Sequence, residues 1–154
     1  MNIVGPHLQC QAECEAVLRS LPMWFGIEDA LIMYARDSGT LPTFALVEQS
    51  RVVGFVTLLE HFAESWEVHC MAVEAQARNA GHGTQLLLHA ENWLRSKGAR
   101  FLQVKTVAEV NPNREYAETR KFYFARGFTP LEVFPTLWSP RNPALQLVKP
   151  LSEA

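Results

Sequence analysis

The stretch Val73-Glu74-Ala75-Gln76-Ala77-Arg78-Asn79-Ala80-Gly81-His82-Gly83-Thr84 decides how this chain is read. It joins an apolar run with strand character, Trp66 to Val73, to the clearest helical pattern in the sequence, Gly83 to Lys97. That helix carries Leu86, Leu87, Ala90, Trp93 and Leu94 at the 3.6-residue period and is closed by Gly98. Two glycines at a strand-to-helix junction let the backbone approach a ligand closely. The free N–H groups of the helix's first turn, backed by its dipole, make an anion site there. A diphosphate suits such a turn, although a lone Gly-x-Gly also serves as a plain tight turn. Two other phosphate motifs are not met. A P-loop needs Gly-Lys-Ser or Gly-Lys-Thr, but Gly83 is followed by Thr84 and Gln85, and a dinucleotide fingerprint needs a third small residue where Leu86 stands.

Working outward, Asn2 to Val4 reads as a short strand. Gln9 to Ser20 reads as a helix with Ala12, Ala16 or Val17, and Leu18 inward, stopping before Pro22. Phe25 to Asp37 reads as a second helix with Ile27, Leu31 and Tyr34 inward, closed by Ser38-Gly39. Thr43 to Val47 and Val52 to Leu59 flank the polar turn Glu48-Gln49-Ser50-Arg51, a hairpin signal. Beyond the central helix come a strand, Phe101 to Val107, the turn Asn111-Pro112-Asn113, and a helix from Arg114 to Arg126 stopped by Gly127. Two further strands, Phe128 to Phe134 and Ala144 to Val148, flank what reads as a packed surface loop from Pro135 to Pro143. The order is strand, two helices, three strands, helix, strand, helix, two strands. With no internal repeat or long linker, it gives a single mixed α/β domain over residues 1–154.

Composition narrows the function. With 154 residues, 48% of them apolar and 19% charged, the chain buries a real core and is not disordered. Lys and Arg number 14 against 16 Asp and Glu, a net charge of -2, so no basic surplus is present to neutralise a nucleic acid. No apolar stretch approaches the roughly 18 residues of a membrane span, and no basic region precedes an apolar run at the start. No membrane partner is expected, and the cytoplasm is the default address. Cys10, Cys14 and Cys70 are odd in number and lack a C-x-x-C pair, which argues against a disulfide framework and a zinc site. Cys10 and Cys14 share a helix face near His7, a spacing ordinary for helix packing, and no metal is expected.

The pattern Arg-x-x-Gly-x-Gly from Arg78 to Gly83, with Phe-Tyr-x-x-x-Gly-Phe from Phe122 to Phe128, resembles the GCN5-related N-acetyltransferase (GNAT) family of acetyl-CoA-dependent acyl transferases. The resemblance covers most of the chain and extends more weakly from the first helices to Leu147-Val-Lys-Pro-Leu151. It implies a mostly antiparallel mixed sheet flanked by about four helices. That sheet is splayed between its fourth and fifth strands, the ones before and after the central helix. It further implies acetyl-CoA as cofactor, with its pyrophosphate held by backbone N–H groups of Arg78, Asn79, Ala80, Gly81, His82, Gly83 and Thr84. Main-chain groups of Met71 and Val73 would pair with the acetyl-pantetheine arm, a contact that mimics strand addition and tolerates many side chains. Dimers are common in the family.

Acetyl transfer to an amine needs a neutral amine, stabilisation of an oxyanion and a proton for the departing thiolate. A lysine-like amine, with a pKa of about 10.4, needs a base or water chain to lose its proton. Glu67 and His69 are the candidates. In a regular strand they share one face with Met71 and Val73, while Trp66, Val68, Cys70 and Ala72 take the other. On that reading Cys70 faces away from the chemistry, although a bulge reverses the argument. The resemblance adds that Glu67 stands where histone-acetylating members carry a general base, and that Tyr123 can protonate the leaving sulfur. The sequence departs from the family at Tyr116, where an asparagine contacting the pantetheine arm is expected; Asn111 and Asn113 lie nearby at the wrong offset. The oxyanion is expected at the main-chain N–H of Val73.

The acceptor, a small-molecule or peptide amine, is expected against the variable parts Leu21 to Glu28, Glu60 to Ser65 and Pro135 to Asn142. These regions and their neighbours bring Trp24, Phe25, Trp66 and Trp138 together with Glu28, Asp29, Glu60 and Glu64, a mixture suited to a cationic amine. Direct transfer in a ternary complex is the leading reading. A non-catalytic acyl-CoA-binding or partner-binding module is the second. A nucleotide-binding oxidoreductase is the third, weakened by the missing glycine.

Overall fold

The computed structural model describes residues 1–78 and 80–151. In chain order these form β1 (Asn2–Val4), α1 (Gln11–Arg19), α2 (Glu28–Ser38), β2 (Thr43–Glu48), β3 (Arg51–Phe62), β4 (Ser65–Val73), α3 (His82–Ser96), β5 (Phe101–Val107), α4 (Arg114–Ala125), β6 (Thr129–Ser139) and β7 (Asn142–Pro150). One seven-stranded sheet runs β1-β2-β3-β4-β5-β7-β6. Every neighbouring pair is antiparallel except β4 and β5.

Helices cover both faces of the sheet, which explains why several strands read as near-continuous apolar runs. On one face Leu86, Leu87, Ala90 and Leu94 of α3 and Tyr123 of α4 pack on Val56, Leu58, Val68, Leu102, Val104 and Leu147. On the other, Cys14, Val17 and Leu18 of α1 and Leu31 and Ala35 of α2 pack on Ala45, Phe55, Cys70 and Ala72. Trp93 packs half-buried against this core as expected, and α3 also buries Glu91 completely, a carboxylate the apolar stripe did not announce. Lys149 of β7 neutralises that carboxylate at 2.9 and 3.1 Å.

Three local readings are corrected. Helix α2 begins at Glu28 rather than Phe25, because residues 21–25 form a separate turn in which Trp24 and Phe25 both donate to the carbonyl of Leu21. Ile27 is accordingly exposed rather than inward, and on α1 the inward positions are Cys14, Val17 and Leu18, not Ala12 or Ala16. The segment Pro135 to Pro143 is no loop. β6 runs to Ser139 and β7 restarts at Asn142 across a two-residue turn. Pro135 misleads here because β6 is the outermost strand, where an N–H on the solvent side forms no ladder bond, and Pro140 falls in the turn.

The site is positioned by an interruption of the sheet. β4 pairs with β5 only from Ser65 to Val68, opposite Phe101 to Val104. Beyond that, β4 keeps β3 and β5 keeps β7, so the strands part and leave an open edge on each. In the same stretch Thr57 faces Cys70 and Leu58 faces Val68, so His69 is the extra residue of a β-bulge.

Candidate active site

The gap between β4 and β5 opens into a cavity of about 1090 Å3 that runs from the N-terminus of α3, past Tyr123, to the loop between α1 and α2. Its walls follow from the topology: β4 supplies Val68 to Val73, β5 supplies Val104 to Val107, and α4 presents Tyr116, Thr119, Phe122, Tyr123 and Arg126.

The turn before α3 has the geometry of an anion cradle. Gly81 adopts φ +80, a left-handed conformation that disfavours any side chain. No side chain caps the helix, and its first internal bond is that of the Gln85 N–H to the Gly81 carbonyl. Among the described residues the N–H groups of His82, Gly83 and Thr84 therefore have no partner at the positive end of the dipole. Nδ1 of His82 is buried and has no hydrogen-bond partner among the described residues. Ala80 lies beside this turn and is exposed; Asn79 lies outside the described residues. Two cations flank the turn. Arg126 donates to the Thr84 hydroxyl and spreads over the Phe122 ring at 5.4 Å. Arg78 lies 4.1 Å from the centre of the Trp24 ring and donates from Nε to the Val73 carbonyl at 3.0 Å. Sequence reasoning missed Arg126, because its position before Gly127 carries no motif signal of its own.

Glu74 donates its N–H to Val53 of β3. Antiparallel alternation then turns the main-chain groups of Met71 and Val73 away from β3, toward the open edge. Since Arg78 occupies the Val73 carbonyl, the N–H of Val73 is the donor left there.

The bulge overturns the expected sharing of faces. Met71 and Val73 lie on the α3 side, with Val68 and Trp66. Glu67 lies on the α2 side, and so does His69, whose Nε2 is 2.9 Å from Asp37 Oδ2 near the end of α2 and whose ring meets Tyr34 edge-on at 5.3 Å. His69 lines the cavity, whereas Glu67 does not. Both Glu67 oxygens are engaged, Oε1 with His61 Nε2 at 2.6 Å and Oε2 with Lys105 Nζ at 3.0 Å. Cys70 packs in the core beneath α1 and α2, where burial pushes its thiol well above its ordinary pKa and away from nucleophilic use.

Tyr123 is buried, its ring edge-on to Phe122 and Phe128, and burial raises its phenol above the ordinary value near 10. Tyr116 also lines the cavity. Asn111 donates to Asn142 Oδ1 at 2.8 Å and accepts from the Asn113 N–H, and neither Asn111 nor Asn113 lines the cavity. The acceptor walls are corrected as well. The α1–α2 loop, Leu137, Trp138 and Asn142 line the cavity, but the segment from Glu60 to Ser65 does not, because it sits at the far end of β4. Trp66 packs against Trp93, and Glu28 is bound by Arg19, leaving Asp29 as the acidic residue of that wall. Among the described residues no cluster of three metal-ligating side chains occurs, and no helix is long and apolar enough to cross a membrane.

A strand edge freed beside a helix N-terminus that no side chain among the described residues caps, in a sheet parted between its fourth and fifth strands, is the layout of an acyl transferase fold. The family model of the acetyltransferase (GNAT) family matches residues 12–128, and the chain belongs to that family, whose acyl donor is acetyl-CoA. No curated protein matches the chain in sequence. Among solved structures it is similar to a GNAT-family acetyltransferase from Desulfovibrio desulfuricans, at 18% identity over 98% of this chain and 99% of that one, with a TM-score of 0.82. It is also similar to an aminoglycoside 6'-N-acetyltransferase complexed with coenzyme A, at 18% identity over 100% and 99% of the chains, TM-score 0.77. A third is the ribosomal-protein-S18-alanine N-acetyltransferase of Escherichia coli, at 19% identity over 99% and 95%, TM-score 0.77. An aminoglycoside and a ribosomal protein are acetylated on this one fold, so the fold does not choose the acceptor.

Proposed function

We propose that this chain transfers the acetyl group of acetyl-CoA directly to a primary amine of a small molecule, peptide or protein. The observation that carries this reading is the continuity of one cleft. It joins the N–H groups of residues 82–84, the open edge at Met71 and Val73, the Tyr123 ring and the imidazole of His69. Bound acetyl-CoA supplies an activated acyl carbonyl and a thiolate leaving group. The turn from Arg78 to Thr84, with Arg126, holds the pyrophosphate, and Met71 and Val73 align the pantetheine arm. The Val73 N–H meets the developing oxyanion, a contact worth several kcal/mol.

Of the two candidate bases, His69 is favoured because it lines the cleft while Glu67 has one oxygen hydrogen-bonded to His61 and the other paired with Lys105. Tyr123 lines the cleft and, with acetyl-CoA bound, would offer the sulfur a hydroxyl that stays protonated. A thiol ionises near pH 8.5 and a phenol near 10, so complete transfer from Tyr123 is uphill by at least about 2 kcal/mol. Its role is therefore a hydrogen bond to the developing thiolate. Tyr116, standing where an asparagine is expected, favours a second reading as an acyl-CoA-binding module without turnover. Release of free thiol from acetyl-CoA across a panel of amines decides between them: the enzyme reading expects acceptor-dependent release, and binding without release in every case leaves the module. A cytoplasmic homodimer belongs to the proposal, and sedimentation velocity tests the assembly.

A further inference from the structure

Helix α2 and strand β4 each break a local rule at the same point. Asp37 places a carboxylate in the last turn of α2, where the helix dipole disfavours negative charge by a few tenths of a kcal/mol or more. His69 is the unpaired residue of a bulge in a strand otherwise laddered to β3. The two irregularities converge on one hydrogen bond, His69 Nε2 to Asp37 Oδ2 at 2.9 Å. Local rules broken together at a cleft mark a functional arrangement rather than a packing solution.

The surroundings fix both partners. Arg36 approaches the other Asp37 oxygen at 3.6 Å, and the Tyr34 ring, one turn earlier on α2, meets the imidazole at an interplanar angle of 73°. Nδ1 of His69 has no hydrogen-bond partner among the described residues and is not sealed from solvent. With Nε2 holding its proton toward the carboxylate, Nδ1 carries the lone pair on a ring that lines the cleft.

We propose that Asp37 is a positioning residue that holds His69 as the Nε2–H tautomer, so that Nδ1 is the proton acceptor for the amine. This rests on the N-acetyltransferase reading and deepens it by naming the base, its atom and its orienting partner. Nδ1 takes one proton from the incoming ammonium, and the nitrogen lone pair so exposed forms the C–N bond. The electron pair of the breaking C–S bond leaves with sulfur, which receives the second proton lost by nitrogen. The first proton passes from the imidazolium to solvent, and Asp37 stays ionised throughout. Glu67, tied to Lys105 and His61, takes no proton in this scheme.

Two measurements test it. Two-dimensional 1H–15N spectra of the imidazoles in wild-type protein are expected to show His69 with its proton on Nε2, assigned by its loss in His69→Gln. The Nδ1–H tautomer overturns the proposal, and this arm needs no turnover. Kinetics with tyramine, spermidine and an alanine-terminated peptide as probe amines form the second arm. Asp37→Asn is expected to lower kcat at least tenfold, with KM for the amine and calorimetric Kd for CoA within threefold of wild type. A kcat within twofold overturns the proposal. Retained CoA binding separates this effect from misfolding. Wild-type protein that binds CoA and acetylates none of the probes argues against the parent reading, while the spectra still judge the dyad.

Discussion

At the scale of single residues, Tyr123 makes the sharpest claim. Removing one hydroxyl from a buried ring that packs between Phe122 and Phe128 leaves the packing intact. Tyr123→Phe is therefore expected to lower kcat by about a hundredfold with an unchanged Kd for CoA, measured by stopped assay and calorimetry. Tyr34 offers a pH test. Burial raises its phenol from 10 to about 12, so both folded and unfolded chains hold it neutral below pH 10 and it contributes no pH dependence there. Between pH 10 and 12 the unfolded chain ionises first and stability falls, by roughly 2 to 3 kcal/mol for this group. Denaturant midpoints followed across that range are expected to drop less steeply in Tyr34→Phe than in wild type.

At the scale of elements, the two ends of α3 form a matched pair. Gly81 and Gly98 hold φ +80 and +85, and a Cβ at either meets nothing within 4 Å. An alanine at either costs backbone strain alone, about 1 to 2 kcal/mol. Gly81→Ala is expected to weaken CoA binding as well as stability, whereas Gly98→Ala is expected to cost similar stability with CoA affinity intact, a contrast read by calorimetry and chemical denaturation. The same elements show what a sequence reveals. Helix α3 was legible because Leu86, Leu87, Ala90 and Leu94 face one sheet and glycines mark both ends. The bulge at His69 was not, because helices cover both faces of β4 and its apolar pattern runs unbroken through the irregularity. The partner of His69 lies 32 residues away on another element, and Lys149, which engages both oxygens of Glu91, lies 58 away on β7. No local pattern predicts such pairings, since they are fixed only when the chain closes on itself. The β6 strand was hidden by Pro135, whose harmlessness depends on the strand being outermost.

At the scale of the whole molecule, the sheet is two leaves, β1 to β4 and β5 to β7, stitched by the four register positions from Ser65 to Val68. Hydrogen exchange is expected to find β5, β7 and α4 opening as a unit at lower free energy than β2 to β4 in the free protein, with CoA slowing that opening; uniform exchange across both leaves contradicts it. With so short a binding along the spine, the angle between the covers is shared between α3, which packs on both, and whatever lies between the pages. A guest that touches both leaves acts as a clasp, and its departure releases the clasp. Hence how firmly the distal half is folded and how quickly spent donor escapes are one mechanical quantity, and a substitution that tightens the stitching is felt in turnover as well as in the melting curve.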